Sequence, residues 1–332
     1  DKNKYEVVMM PIDKTGKWIL GDAGLAILNK TNSKLYKLNT KDSVGVALVP
    51  QSNGQISNFN QQNSKNSVDV VFPVLHGPFG EDGTVQGLLK LANIPFVGAS
   101  VLGSAVGMDK DVMKRLLRDA GIPIGKFITL GFGEKITFEK TKKELGLPMF
   151  IKPSNMGSSV GVSKIKNKKE FEEAIKQAFL FDTKVIIEAF IKGREIECSV
   201  LGNDKPVASI PGEVVVSDEF YSYETKYINE DGARTEIPAK LSKKEIKNIQ
   251  EISVKAFKVL NCEGFGRVDS FMKENGEVVI NEINTIPGFT SISMYPKLWE
   301  ASGLPLTKLL DKLIALAVER FEREQKLKTS IS

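Results

Sequence analysis

The sequence has little cysteine and histidine and no long apolar run, and each scarcity excludes a class of protein. Its two cysteines, Cys198 and Cys262, stand in unrelated contexts, which excludes a disulfide framework or a zinc site and predicts a reducing, cytoplasmic location. No stretch approaches 18 apolar residues, so no membrane-spanning helix is expected. His76 is the single histidine, and a lone histidine is more often structural than catalytic.

The charges are nearly balanced and scattered along the chain. The 332 residues carry 46 Lys and Arg against 41 Asp and Glu, a net charge of +5, with no block of five or more like charges. This pattern is typical of a solvated globular surface and not of a nucleic-acid-binding face. A modest positive field also suits an anionic substrate. The length is enough for two or three domains.

Three regions differ in pattern and predict an α/β protein with α+β character, divided into domains at 1–98, 99–191 and 192–332. In the first region, "YEVVMMPI" (5–12) and "VDVVFPVL" (68–75) predict strands of a buried parallel sheet. The polar stretch "NGQISNFNQQNSKNS" (53–67) predicts an exposed loop.

The other two regions alternate predicted helices and strands. In 99–191, "DKDVMKRLLRDAG" predicts a helix that stops at Gly121, and "PMFIKP" and "KVIIEAFI" predict strands. In 192–332 the expected elements are strands in "EIECSVLG" and "KPVASIPGEVVV", a helix near 243–260, a hairpin, and a last helix from about 305 with an apolar stripe.

The hairpin carries the strongest chemical signal. Two strand-like runs flank Asn275-Gly276, a pair that favours a two-residue turn. With that turn, Asp269 faces Glu282 and Arg267 faces Asn284, and alternation places all four side chains on one face. Two carboxylates and an amide oxygen suit Mg²⁺ when substrate phosphates complete its shell. The alternative is an arginine–carboxylate network on a solvated sheet face; the glycine-containing turn that follows favours the metal.

Three further segments have both a functional and a structural interpretation. Lys152 precedes "GSSVG" (157–161), which suits a phosphate-binding loop or lid, the alternative being a simple strand connection. The segment from Glu188 to Ile191, with Glu195, offers backbone and acid groups to an adenine and a ribose, or is a strand with a surface acid. "TIPGFTSISM" (285–294) exposes backbone N–H groups and hydroxyls that suit a carboxylate or an oxyanion, or is a polar loop.

Six segments taken together resemble the D-alanine–D-alanine ligases of the ATP-grasp superfamily: "HGPFGEDGTVQG" (76–87), "MDK" (108–110), "IKPSNMGSSVG" (151–161), "YSYETKY" (221–227), "GFGRVDSF" (264–271) and "NEINTIPGFTSISMYP" (281–296). The resemblance runs in order along almost the whole chain. It implies an ATP-grasp fold preceded by an amino-terminal α/β substrate domain. The implied reaction uses ATP and two Mg²⁺ or Mn²⁺ ions per site to activate one D-alanine as an acyl phosphate, which a second D-alanine attacks. The product serves peptidoglycan and cell-wall synthesis, and a homodimer is implied.

The resemblance also implies a role for each matching residue. Asp269, Glu282 and Asn284 match metal ligands, and Lys110, Lys152 and Lys226 match phosphate-contacting lysines. The positions that match the nucleotide site are Ser158, Glu188, Ala189, Phe190, Ile191 and Glu195. Arg267 and the N–H of Gly288 match the pair that stabilises the oxyanion, and Ser158 and Tyr227 match a trio that orients the first D-alanine and the loop. Ser293 and Lys226 match groups on the second D-alanine's carboxylate, Met294 an apolar wall beside it, and His76 a residue near the first substrate.

The chain departs from the family at its start. A first strand and a loop of the type "GGxSxEHEVS", which carries the glutamate that completes the trio, are missing from the sequence. We expect the full gene product to contain this segment and the 332-residue chain to be impaired in ligation. The "ETKY" segment favours D-alanine over D-lactate as second substrate, and D-serine is only one hydroxyl larger. Two alternatives stay open: another ATP-grasp carboxylate–amine ligase, and a non-catalytic ATP-binding protein on the same fold.

Overall fold

The computed structural model describes residues 3–12, 16–20, 44–58, 61–216, 233–290, 292–328 and 330. In chain order its strands are β1 (Ile19–Leu20), β2 (Val44–Leu48), β3 (Gln55–Asn58), β4 (Gln61–Ser67), β5 (Phe127–Gly131), β6 (Met149–Pro153), β7 (Ser163–Ile165), β8 (Lys184–Ala189), β9 (Arg194–Leu201), β10 (Val207–Ala208), β11 (Gly212–Val216), β12 (Ala233–Glu236), β13 (Phe265–Met272) and β14 (Val278–Asn284). Its helices are α1 (Thr84–Leu91), α2 (Val101–Met108), α3 (Lys110–Asp119), α4 (Phe138–Leu145), α5 (Lys168–Ala178), α6 (Lys243–Val259), α7 (Met294–Ala301) and α8 (Leu306–Gln325).

Four helices begin at a side-chain cap, which explains where they start. Asp109, Thr137, Asn167 and Ser242 each accept a hydrogen bond from a backbone N–H in the first turn of α3, α4, α5 and α6. Ser242 and Glu245 form a reciprocal capping box. The starts of these helices therefore agree with the capping residues in the local sequence.

Two compact units divide the chain: unit 1 comprises Asp1–Val71, Gly87–Phe96 and Phe321–Ser332, and unit 2 comprises Phe72–Gln86 and Val97–Arg320. In the described part of unit 1, an antiparallel sheet has the strand order β1-β2-β3-β4. The parallel pairing expected there is present in the described residues as an isolated bridge between Val71 and Phe96. The division into domains at 98 and 191 stays a prediction.

Unit 2 is built on two sheets that position the site. One has the order β5-β8-β6-β7, with a core of apolar side chains from α4, α5, β6 and β8. The other has the order β12-β11-β9-β13-β14, with β10 paired to β9. Side chains from α3 and α6 cover one face of β13 and β14. No helix in the described ranges combines the length and apolar character that a membrane crossing needs.

Most of the expected elements of unit 2 are confirmed. The predicted helix is α3, which ends just before Gly121 at positive φ, and the runs quoted above fold as β6, β8 and β9. The two long carboxy-terminal helices are α6 and α8. The run at 205–216 divides into β10 and β11, because Pro206 and Pro211 remove backbone donors from the ladder.

Three expectations for the first region were wrong. Within the polar stretch at 53–67, Gln55–Asn58 and Gln61–Ser67 pair as the strands β3 and β4 instead of forming a loop, and Ile56 is buried there. Residues 68–75 do not form a strand, since Pro73 cannot donate to a ladder. Among the described residues, segment 5–12 pairs only at Ile12, which bridges to Trp18.

Candidate active site

A cavity of about 830 Å³ lies within unit 2, a volume typical of small-molecule sites. Among the side chains and backbone groups that line it are the residues predicted from the sequence: His76, Lys110, Lys152, Ser158, Glu188, Ala189, Phe190, Ile191, Glu195, Arg267, Glu282, Asn284, Gly288, Ser293 and Met294. Asp269 is buried directly beside this wall, in contact with Arg267. Lys226 and Tyr227 lie outside the described residues.

The β13–β14 hairpin brings the acids together in the predicted register. Asp269 faces Glu282 and Arg267 faces Asn284. The turn, however, differs from the predicted two-residue type, because Met272 pairs with Val278 and Gly276 lies at positive φ in a longer loop. The register shifts between Asp269 and Ser270, where a β-bulge leaves Asn281 outside the pairing. The turn shifts the pairing by one residue from the prediction, and the extra residue of the bulge shifts it back, so the predicted pairs form beyond the bulge.

Three carboxylates form a row across three neighbouring strands. Glu197 on β9 faces Asp269 on β13, which faces Glu282 on β14. Arg267 joins this row: its Nε and Nη2 donate to the two oxygens of Asp269, each at 2.7 Å, and its Nε lies 3.0 Å from Oε2 of Glu197. Because that N–H points at Asp269, the contact with Glu197 is one of charge and not a hydrogen bond. Burial alone would lower the pKa of Arg267, but the carboxylates outweigh it and raise the pKa well above its usual value.

The predicted metal ligands fit a hard divalent cation. Asp269, Glu282 and Asn284 supply only oxygen ligands, and Asn284 Nδ2 donates to Asp269 at 2.9 Å, so the amide and the carboxylate already meet. No group of three or more His, Cys, Asp or Glu side chains in the described ranges is arranged to hold a metal ion. Two carboxylates and an amide instead match a Mg²⁺-type site that substrate phosphates complete.

On the part of the cavity wall away from the carboxylate row, three lysines lie around the buried Glu188. Lys152 Nζ lies 2.6 Å from Oε2 of Glu188, and Lys114 Nζ lies 3.1 Å from Oε1. Lys110 Nζ donates to the carbonyl of Met156 at 2.8 Å and lies 3.7 Å from Glu282. Burial would raise the pKa of Glu188, but the two lysines hold it at about 2. Burial lowers the pKa of Lys110 and of Lys114. The arrangement offers positive charge to an anionic ligand.

A second ion cluster, the clamp, holds these lysines in place. Lys184 Nζ donates to Asp109 at 2.6 Å and to Asp111 at 3.2 Å, and Ser154 Oγ donates to Asp109 at 2.8 Å. Asp109 and Asp111 flank Lys110 at the start of α3, Ser154 follows Lys152 by two residues, and Lys184 opens the strand that carries Glu188. The clamp therefore ties together the three elements that carry the lysines and Glu188.

The Ser/Gly loop after β6 has an unusual backbone. Ser158 and Ser159 both have positive φ, at 53° and 60°, which few residues other than glycine adopt. Val160 N donates to Gly157 O at 3.1 Å, and Val162 N donates to Ser159 O at 3.3 Å, so the loop consists of tight turns. Strained backbone of this kind occurs often at ligand clamps.

The turn after β14 brings Gly288, Ser293 and His76 together. A Cβ on Gly288 would lie 2.7 Å from Ser293 Oγ and 4.0 Å from His76 Nε2. Ser293 Oγ also accepts from the N–H of Thr290 at 3.0 Å. Burial and the nearby Arg267 lower the pKa of His76, which favours the neutral imidazole.

Among the charged residues of the cavity that were missed in the sequence, three lie close to the predicted site residues. Lys114 follows Lys110 by one helical turn, a spacing equally typical of a solvated face. Glu197 shares a strand face with Glu195, but its place in the carboxylate row depends on the β9–β13 pairing. Glu81 lies inside the quoted 76–87 motif; its Oε2 accepts from Gly77 N at 2.6 Å, and burial raises its pKa to about 7.

Comparison with known proteins identifies the family. Residues 1–99 match the family model described as D-ala D-ala ligase N-terminus, and residues 116–315 match the one described as D-ala D-ala ligase C-terminus. The chain is 53% identical over 335 residues to the D-alanine--D-alanine ligase of Oceanobacillus iheyensis, covering 100% of this chain and 91% of that protein. The chain belongs to the D-alanine–D-alanine ligase family.

Solved structures of the D-alanine–D-alanine ligase family have the same fold. The D-alanine-D-alanine ligase from Coxiella burnetii is 40% identical with a TM-score of 0.86, covering 98% of this chain and 88% of its own. VanG D-Ala:D-Ser ligase from Enterococcus faecalis is 39% identical with a TM-score of 0.84, covering 96% of this chain and 91% of its own. The expected ATP-grasp fold is thereby confirmed, as is the resemblance. Members of this family are ATP-dependent ligases that use a divalent metal ion.

Proposed function

We propose that the protein is a D-alanine–D-alanine ligase that condenses two D-alanines to D-alanyl-D-alanine for peptidoglycan precursor synthesis. The observation that carries this proposal is the meeting of an arginine–carboxylate row and a lysine cluster in one cavity, in a chain with full-length similarity to such ligases. A non-catalytic ATP binder would have no use for the buried Arg267.

The lysine side of the cavity binds ATP. Lys110 and Lys152 neutralise phosphate oxygens, and the loop around Ser158 closes over them. Glu188 and the backbone of Ala189, Phe190 and Ile191 hold the adenine edge, and Glu195 accepts from the ribose hydroxyls. Lys226 adds a further charge on the phosphates.

The β13–β14 hairpin is the side of the cavity that would hold the metal. Asp269, Glu282 and Asn284 would bind Mg²⁺ or Mn²⁺, two ions per site. When bound, these ions neutralise charge on the transferring phosphoryl group.

The chain's own residues then carry out two displacements. A carboxylate oxygen of the first D-alanine attacks the γ-phosphorus of ATP, and ADP leaves with the bridging electron pair. The neutral amine of the second D-alanine then attacks the acyl carbon, and the oxyanion that forms is stabilised by Arg267 and the N–H of Gly288. As the peptide bond forms, the bond to the phosphate oxygen breaks, inorganic phosphate leaves with the electron pair, and the nitrogen loses one proton to solvent. The closed loop excludes water, which would otherwise hydrolyse the acyl phosphate.

The substrates are positioned by residues around these groups. His76 lies near the first D-alanine, which Ser158 and Tyr227 help to orient, and Ser293 and Lys226 hold the carboxylate of the second. Met294 forms an apolar wall for the second methyl group. Similarity to a D-Ala:D-Ser ligase makes D-serine the second candidate for this position. We further propose a cytoplasmic homodimer with the three-domain division given above.

A coupled assay tests the proposal. The protein is mixed with Mg²⁺, ATP and D-alanine, and phosphate release is followed with the product mass. D-Alanyl-D-alanine with stoichiometric phosphate is expected, and ATP binding without ligation would contradict the proposal. Arg267→Met should abolish ligation, whereas Arg234→Met, at an exposed arginine of β12, should not. Adding D-serine to D-alanine separates the two second substrates by mass.

A further inference from the structure

Lys114 is a buried lysine that the proposed mechanism does not use. It is 1% exposed, lies one turn after Lys110 on α3, and places its Nζ 3.1 Å from Oε1 of Glu188. A buried ammonium group is costly unless it is paired. Its partner Glu188 is also paired with Lys152, so one carboxylate holds two lysines.

A bound nucleotide would affect Lys114 and Lys152 differently. In the proposed function, Lys152 turns toward phosphate oxygens when ATP binds, and its charge is then shared. Lys114 is assigned no such second task; its side chain is buried in the cavity wall, with Nζ beside Glu188. With Lys114 in place, Glu188 keeps a lysine partner that the nucleotide does not share. Without it, Lys152 alone would offset the burial that raises the pKa of Glu188.

The protonation state of Glu188 determines which nucleobase it can bind. An ionised carboxylate only accepts hydrogen bonds, whereas a protonated one also donates. Adenine presents an amine donor at the position where guanine presents a carbonyl acceptor. An ionised Glu188 therefore pairs with adenine and repels guanine, while a protonated Glu188 accommodates either base.

We propose that Lys114 is a positioning residue that sets nucleotide specificity, by holding the Glu188 carboxylate oriented and ionised against the nucleobase. The inference rests on the proposed function, because it requires that the base lies at Glu188. It assigns to Lys114 a task separate from that of the phosphate-contacting lysines. Its signature is a change in the ratio of adenine to guanine nucleotide binding, which a merely structural lysine would not alter.

Calorimetric titration with ADP and with GDP, each with Mg²⁺, tests this in the protein and its variants. The wild type should prefer ADP, and Lys114→Met should reduce that preference about tenfold or more. Lys114→Arg, which keeps the charge, should retain most of it. Lys176→Met is the matched control, an exposed lysine on α5 of unit 2, and should behave as wild type.

Two further measurements show whether Lys114 acts through Glu188. In a Glu188→Gln background, Lys114→Met should change the ADP-to-GDP ratio no further. As the pH falls from about 8 to about 6, ADP affinity should weaken more in Lys114→Met than in the wild type, because the variant lacks one of the two lysines that lower the pKa of Glu188. If Lys114→Met does not fold, Lys114→Gln replaces it with the same expectations.

The outcomes separate the inference from the proposed function. An unchanged ADP-to-GDP ratio in a folded Lys114 variant overturns the inference and leaves the ligase proposal standing. A wild type that binds neither nucleotide overturns the proposed function itself. A lowered ratio with an unchanged KM for D-alanine supports both.

Discussion

Glu197→Gln tests whether the carboxylate row positions the catalytic arginine. Arg267 has close contacts with Asp269, through two hydrogen bonds of 2.7 Å, and with Glu197 at 3.0 Å, and Glu282 adds a further negative charge. In the proposed mechanism Asp269 and Glu282 are also metal ligands, whereas Glu197 is assigned no ligand role. Glutamine keeps the volume and removes the charge. Since Arg267 retains Asp269, we expect a loss of about 1–2 kcal/mol of transition-state stabilisation, which is about five- to thirtyfold in kcat.

The assay is phosphate release under saturating ATP and D-alanine, with thermal unfolding measured in parallel. The matched control is Glu236→Gln, which removes the charge of another glutamate paired with an arginine, Arg234, where neither residue lines the cavity. That variant should have a much smaller effect on kcat than Glu197→Gln. A kcat for Glu197→Gln equal to that of wild type would refute the reasoning.

Three further predictions follow from buried groups and glycines. Burial raises the pKa of Glu81 from 4.5 to about 7, so the folded protein keeps a proton that the unfolded chain releases. The free energy of unfolding should therefore fall by up to about 3 kcal/mol from about pH 5 to about pH 7. Glu81→Gln should flatten this slope in urea titrations, and an unchanged slope would contradict the prediction. Gly103→Ala should destabilise the protein by about 1–3 kcal/mol, because the new Cβ would clash with the backbone carbonyl of Asn261. Gly87→Ala, at a helical glycine with open space around it, should stabilise the protein by about 0.5–1 kcal/mol. Equal effects of the two substitutions on the free energy of unfolding would be evidence against the packing argument. Lys184→Met leaves Asp109 and Asp111 of the clamp without the lysine they share, so it should lower the free energy of unfolding by about 2–4 kcal/mol and raise the KM for ATP. An unaltered KM would show that the clamp does not position the lysines.

The hairpin shows how much the sequence could predict. The pairing of Asp269 with Glu282 was correct, yet the expected turn was one residue too short, and the bulge at Asn281 restored the register. Alternation alone would have placed Ile280 on the face that carries Glu282. In the structure Ile280 packs in the core, which the sequence had no local signal to show.

Long-range pairing explains what could not be predicted. The position of Glu197 in the carboxylate row depends on the β9–β13 neighbourhood, a contact between segments about seventy residues apart in sequence. The partner of Lys114 lies on β8, and a lysine one helical turn after another lysine looks like part of a solvated face. Conversely, helix starts at capped positions such as Asp109 and Ser242 depend on neighbouring residues, so they could be predicted from the sequence.

The bulge in β14 also decides where this hairpin tolerates a change of length. Asn281 contributes no cross-strand pair, so a chain shortened at this position would keep Ile280 in the core and Glu282 on the cavity side. Loss of Ile283 instead would turn Asn284 toward the core and remove it from the row of oxygen ligands. For protein engineering, Asn281 is therefore a permissive point for deletion within a segment that is otherwise fixed in length.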